Sequence, residues 1–144
     1  MTMGVNHLGH FYLTSLLWEK IKISNHPRII NVSSLLAHKQ PKGEKDTFII
    51  DLDDMNYDKY FDHNLAYSRS KLANILFARQ LQANMDKSGI KGLSLSLHPG
   101  VIVTELAREF GIKLTIMKIV FCLFIALCTK SPIQGAQTTL YLVL

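Results

Sequence analysis

The run Arg28-Ile29-Ile30-Asn31-Val32-Ser33-Ser34 restricts the fold of this chain more than any other stretch. Ile29 to Val32 is too short for a helix and rich in β-branched residues, so it reads as a buried parallel strand. In open α/β sheets the ligand crevice lies outside the carboxyl ends of the strands, and Ser33 and Ser34 stand there with their hydroxyls. A second strand signature follows at Leu93, Leu95 and Leu97, which alternate with Ser94 and Ser96; small serines can pack under a crossing helix. Between the two, Leu72, Ile75, Leu76 and Leu81 alternate with Arg69, Arg79 and Gln82 at helical period. This predicts a helix from Ala66 to Met85, which Lys87-Ser88-Gly89 ends with basic and left-hand-tolerant residues.

The first turn of that helix carries Tyr67 and Lys71, four apart and therefore on one face. An ammonium beside a phenol stabilises the phenolate. A Tyr that exchanges a proton near neutral pH must come down about 3 units from ~10, roughly 4 kcal/mol of differential stabilisation. By itself a Tyr-x-x-x-Lys pair also arises on any solvated helix turn, so its neighbours decide its meaning. Upstream, Leu8, Phe11, Tyr12, Leu16 and Ile23 form the apolar stripe of an amphipathic helix over Val5–Ile23, stopped by Asn25, His26 and Pro27. Asn6, in its first turn, reads locally as a cap or a solvent contact. Downstream, Pro99 keeps His98 extended and Gly100 lets backbone approach a ligand closely; the pair alone is an ordinary turn.

Several chemistries fall away. The net charge of +5 suits an anionic cofactor or a membrane surface. The 16 basic residues are scattered without interleaved aromatics, which argues against nucleic acid. Cys122 and Cys128 offer neither a disulfide framework nor metal spacing and read as buried free thiols. No carboxylate stands at ligand spacing from His7 or His10. The acidic cluster Asp51, Asp53, Asp54 and Asp58 fails as a Ca²⁺ loop, because Met55 takes the fifth ligand place and Asn56 that of the required glycine. Asn31-Val32-Ser33 fits a glycosylation acceptor but lies on a buried strand. Ile112 to Cys128 would span ~25 Å as a helix, short of the ~30 Å hydrocarbon core, which favours a lid or membrane-dipping helix within 105–130 over a full span. Ser131-Pro132-Ile133-Gln134 is a capping box with Pro at the first helical position.

In order, Gly-Val-Asn-His-Leu-Gly-His-Phe, Asn-Val-Ser-Ser-Leu, Tyr67 with Lys71 and Ser-Lys-Leu-Ala-Asn-Ile-Leu-Phe, His-Pro-Gly-Val and Gln-Gly-Ala-Gln-Thr-Thr-Leu-Tyr resemble the short-chain dehydrogenase/reductase family. Within it they look like the retinol dehydrogenase branch. The resemblance implies an α/β fold, part of a doubly wound parallel-sheet Rossmann fold, with residues 1–144 as a single partial domain that holds the catalytic half. It implies Tyr67 as acid and base, Lys71 as the cation that lowers its pKa and binds the nicotinamide ribose, Ser34 on the substrate oxygen and Asn6 holding a relay water. Pro99, Gly100, Ile102 and Thr104 would meet the cofactor, NADP by resemblance or else NAD. The substrate would be a small apolar alcohol or aldehyde of the retinol/retinal kind. A membrane surface, the endoplasmic reticulum facing the cytosol before the cytoplasm, and a homodimer would be the settings. No metal is expected. The glycine-rich phosphate cradle of the family is not among these residues, so a competing expectation is a catalytically incomplete piece that only binds membrane or a partner.

Overall fold

The computed structural model describes residues 1–38, 50, 52–55, 57–59, 61–102 and 129–144, which fall into two compact units, Met1–His98 and Pro99–Leu144. In the first unit a π-helical turn, Gly4–Leu8, leads directly into α1 (Gly9–Leu16), and a break at Leu17 separates α1 from α2 (Trp18–Ile23). Strand β1 (Arg28–Val32) follows, then a 3₁₀ turn at Leu35–His38, the long helix α3 (His63–Lys87) and β2 (Leu93–Leu97). The second unit carries α4 (Pro132–Val143).

β1 and β2 pair in parallel, from Arg28 opposite Leu93 to Val32 opposite Leu97. One further bond extends the ladder at each end, Leu93 N–H to the Pro27 carbonyl and Ser33 N–H to the Leu97 carbonyl. Parallel strands require a crossover, and α3 supplies it, as the two strand signatures and the intervening helical period predict. The helix runs three residues earlier and two later than the apolar pattern marks. Asp62, in extended conformation, caps it by accepting from Leu65 N–H at 2.7 Å. Gly89 ends it at φ +68, where only glycine avoids strain.

The seam of α3 that faces the sheet is built from small residues. Ala66, Ser70, Ala73, Asn74, Ala78, Leu81 and Met85 are buried at helical spacing, whereas Leu76, which the apolar pattern places on the stripe, is 47% exposed. Small side chains bring the helix axis close to the strands; Ser94 is buried on β2 as that packing predicts, whereas Ser96 is exposed. Gln82 reaches across the same interface: its Oε1 accepts from Ser94 N–H at 2.7 Å and its Nε2 donates to the Gly92 carbonyl at 3.3 Å.

The first helix departs from its sequence reading in two ways. It is three short pieces rather than one, and the stripe Leu8, Phe11, Tyr12, Leu16, Ile23 is exposed throughout. Amphipathic spacing specifies a helix; Phe11 meets the Phe77 ring of α3 at 5.4 Å between centroids, yet the stripe as a whole stays exposed. In the second unit the Ser131–Gln134 capping box forms in full, with both reciprocal bonds present. Among the described residues no helix is long and apolar enough to cross a membrane; Ile112 to Cys128 lies outside them.

Candidate active site

The carboxyl end of β1 collects the polar groups of three elements. Tyr67 and Lys71 lie one turn apart on the same face of α3, and the Lys71 Nζ sits 5.6 Å from the centroid of the Tyr67 ring, within cation–π range. The same Nζ donates to the Val32 carbonyl at 3.1 Å. Burial pushes the Lys71 ammonium below its ordinary pKa, because removal from water disfavours the charged form.

Ser33 and Ser34 make different bonds. The buried Ser33 Oγ donates to the Lys71 carbonyl at 2.7 Å and fastens α3 to the end of β1. The Ser34 Oγ accepts from Leu36 N–H at 3.2 Å, and its carbonyl accepts from Ala37 N–H, opening the 3₁₀ turn. That role leaves the hydroxyl proton of Ser34 available to an acceptor.

Asn6 lies within the π turn. Its Nδ2 donates to the Ser70 Oγ at 3.1 Å, and Ser70 in turn donates to the Tyr67 carbonyl at 2.7 Å. Its own carbonyl accepts from Asn74 Nδ2 at 3.0 Å. The π turn carries one extra residue per turn, a distortion that recurs at functional sites. The structure thus brings Asn6, Tyr67 and Lys71 into one network and places Ser34 two residues beyond the Val32 carbonyl that Lys71 holds.

Ser70, Asn74 and His7 are the members of this network that sequence reasoning missed. Ser70 and Asn74 are completely buried. His7, which has no carboxylate at ligand spacing in the sequence, bonds Asn74 Oδ1 through Nδ1 at 3.1 Å and lays its ring edgewise on Phe77.

The second unit holds the remaining candidates. Gly100 has φ +89, a conformation that strains any other residue, and a side chain there would press on Lys130 at 3.2 Å. Ile102 forms a parallel bridge with Lys130, and Lys130 N–H donates to the Val101 carbonyl. Gly135 of α4 packs so closely on Ile102 that a Cβ would collide with it. Pro99 begins this turn. Thr104 and residues 105–128 of the expected lid lie outside the described residues. No cluster of three or more His, Cys, Asp or Glu suited to a metal exists among the described residues.

A phenol with an ammonium over its ring, at the carboxyl end of a parallel strand, can exchange a proton with a ligand oxygen. Comparison with known proteins gives this geometry a context. The chain is 43% identical to human retinol dehydrogenase 11 across 98% of its own length, 42% identical to human retinol dehydrogenase 14 across 99%, and 42% identical to human retinol dehydrogenase 13 across 99%. It spans about 40% of the length of these curated relatives. Among solved structures, an uncharacterised protein from Mycobacterium paratuberculosis superposes with a TM-score of 0.58 at 37% identity, over 74% of this chain and 36% of the other. No protein-family model matches the chain. The parallel β1–α3–β2 arrangement is part of a Rossmann-type α/β fold, and over nearly its whole length the chain is similar to a stretch of the retinol dehydrogenases, members of the short-chain dehydrogenase/reductase family.

Proposed function

We propose that the chain is the catalytic half of an NAD(P)-dependent oxidoreductase that interconverts an apolar alcohol and its aldehyde or ketone. The observation that carries this reading is the Lys71 ammonium poised over the Tyr67 ring and anchored to the Val32 carbonyl. The names of the relatives point to retinol or retinal as the substrate class. Tyr67 gives its phenolic proton to the carbonyl oxygen during reduction and takes the hydroxyl proton back during oxidation. Lys71 stabilises the phenolate, and Ser34 donates to the substrate oxygen. Asn6 closes a relay through a water. Bound nicotinamide supplies or receives the hydride.

The donor set fits such a cofactor. An ammonium that uses one N–H on Val32 has others for a ribose diol, on the same helix face as the phenol. Pro99, Gly100, Ile102 and Thr104 are assigned to the nicotinamide and phosphate side, with NADP preferred by resemblance to the family. The apolar 105–130 segment would act as a lid or dip into a membrane, placing the protein on the endoplasmic reticulum facing the cytosol. The test is Tyr67→Phe in the full-length protein carrying this chain, assayed with retinol and either dinucleotide. Turnover should fall roughly 100-fold or more; near-parental turnover refutes the assignment.

One observation favours a second reading, in which the chain binds a partner. A groove of about 520 Å³ lined by Leu13, Leu17, Ile21, Ile29 and Ile30 runs between the first helices and the outer side of β1. Phe11, Tyr12 and Leu16 are exposed on α1. Pairing with a second subunit across this region is compatible with the catalytic reading.

A further inference from the structure

The four residues read as catalytic, Asn6, Ser34, Tyr67 and Lys71, come from three elements: the π turn, the end of β1, and α3. Their mutual placement requires a tie between those elements, and Asn74, itself on α3, is bonded to the other two. It lies three residues after Lys71 on α3 and is completely buried. Its Nδ2 donates to the Asn6 carbonyl at 3.0 Å and to the Val32 carbonyl at 3.3 Å. Both acceptors are backbone oxygens with no proton to give, so the amide must turn its nitrogen toward them. Its Oδ1 then faces His7 Nδ1 at 3.1 Å, and since Oδ1 only accepts, Nδ1 must carry the hydrogen. All the hydrogen-bonding directions of this side chain that the network needs are thereby fixed.

Resting on the proposed oxidoreductase reading, we infer that Asn74 is a positioning residue of the active site. It fixes the π turn that carries Asn6 against the end of β1, on the same Val32 carbonyl that anchors the Lys71 ammonium, with His7 fixing its amide. An alanine in this place would leave both carbonyls without this donor. The titratable groups around the site are His7 on the π turn and Tyr67 and Lys71 on α3; β1 contributes only the Val32 carbonyl.

The test compares Asn74→Ala, Asn74→Asp and Tyr67→Phe in the full-length protein carrying this chain, with thermal unfolding followed alongside. Asn74→Ala should lower kcat per folded molecule tenfold or more, since a displacement of about 1 Å can cost 10²-fold. KM for alcohol and cofactor should stay within about twofold. Asn74→Asp keeps size and the acceptor toward His7 but places a carboxylate beside the Lys71 ammonium. It offsets the charge that favours the phenolate, so the pH profile of alcohol oxidation should move upward. A lower melting temperature for Asn74→Ala with kcat per folded molecule unchanged, or a profile unmoved in Asn74→Asp, makes Asn74 a packing residue and overturns the inference. If the alanine variant does not fold, the pH profile of Asn74→Asp decides alone. Loss of turnover in Tyr67→Phe together with those outcomes leaves the oxidoreductase reading standing, whereas full turnover in Tyr67→Phe removes both.

Discussion

The side chains of Lys71 and Asn74 converge on one acceptor, the Val32 carbonyl, at 3.1 and 3.3 Å. A carbonyl oxygen has two lone pairs, and here both are directed at the helix that crosses over the strand. The end of β1 is therefore held by a charged donor and a neutral one, and the two can be separated by substitution.

Lys71→Met should depress turnover and move the pH optimum of alcohol oxidation upward, because the phenolate of Tyr67 loses its cation. Steady-state pH profiles of the full-length protein check this, and an unshifted optimum counts against the role.

Stability at alkaline pH should respond to two groups with opposite sign. Burial lowers the pKa of Lys71, so between its folded and ordinary values the unfolded chain binds more protons and stability rises with pH. Burial is also the largest cause raising Tyr57, partly countered by Arg69 whose guanidinium lies 5.6 Å from its ring, so stability is lost as pH climbs from about 10 through the folded value. Urea midpoints measured from pH 8 to 11 should climb less in Lys71→Met and fall less in Tyr57→Phe than in the parent.

Gly92→Ala should destabilise by about 1–3 kcal/mol, the usual cost of overpacking. A Cβ at this position would stand 2.5 Å from the Pro27 carbonyl and 2.6 Å from the Met85 side chain. The first of these is backbone and already accepts from Leu93 N–H, so it cannot retreat without loosening the first rung between the strands. Denaturant titration measures the loss.

Asp62→Ala removes the cap of α3 and should cost about 1 kcal/mol, while Asp62→Asn should stay within a few tenths. Equal midpoints for the two variants would show that the Leu65 N–H finds another acceptor.

Much of this architecture is legible in the residues. Ile29 to Val32 and Leu93 to Leu97 announce strands through branching and alternation, Gly89 announces the end of α3, and Ser131-Pro132-Ile133-Gln134 announces α4. These are local properties, decided within a few residues. The buried seam of α3 is only partly legible in this way, because Ala66, Ser70, Ala73 and Asn74 are chosen for close approach rather than for hydrophobicity, and of the apolar pattern Leu72 and Leu81 are buried whereas Leu76 is exposed. The π turn is invisible for a related reason: its extra residue accompanies a bond from Asn74, 68 positions away, to the Asn6 carbonyl. Tyr67, Lys71, Ser34 and Asn6 could be named from their phrases, whereas the amide that joins their elements shows itself only when the helix is laid on the strand.

The clamp that Gln82 forms on Gly92 and Ser94 joins positions only 10 and 12 apart. The strand pairing it adjoins joins Arg28 to Leu93 across most of the unit. Closing a short loop sacrifices less chain entropy than closing a long one, so α3 and β2 can associate as a local hairpin of helix and strand before β1 arrives. On a ribosome this pair would leave the tunnel last among the three elements, so β1 would wait for it. Gln82 thus bears on the order of assembly, as the residue that readies β2 to receive its neighbour.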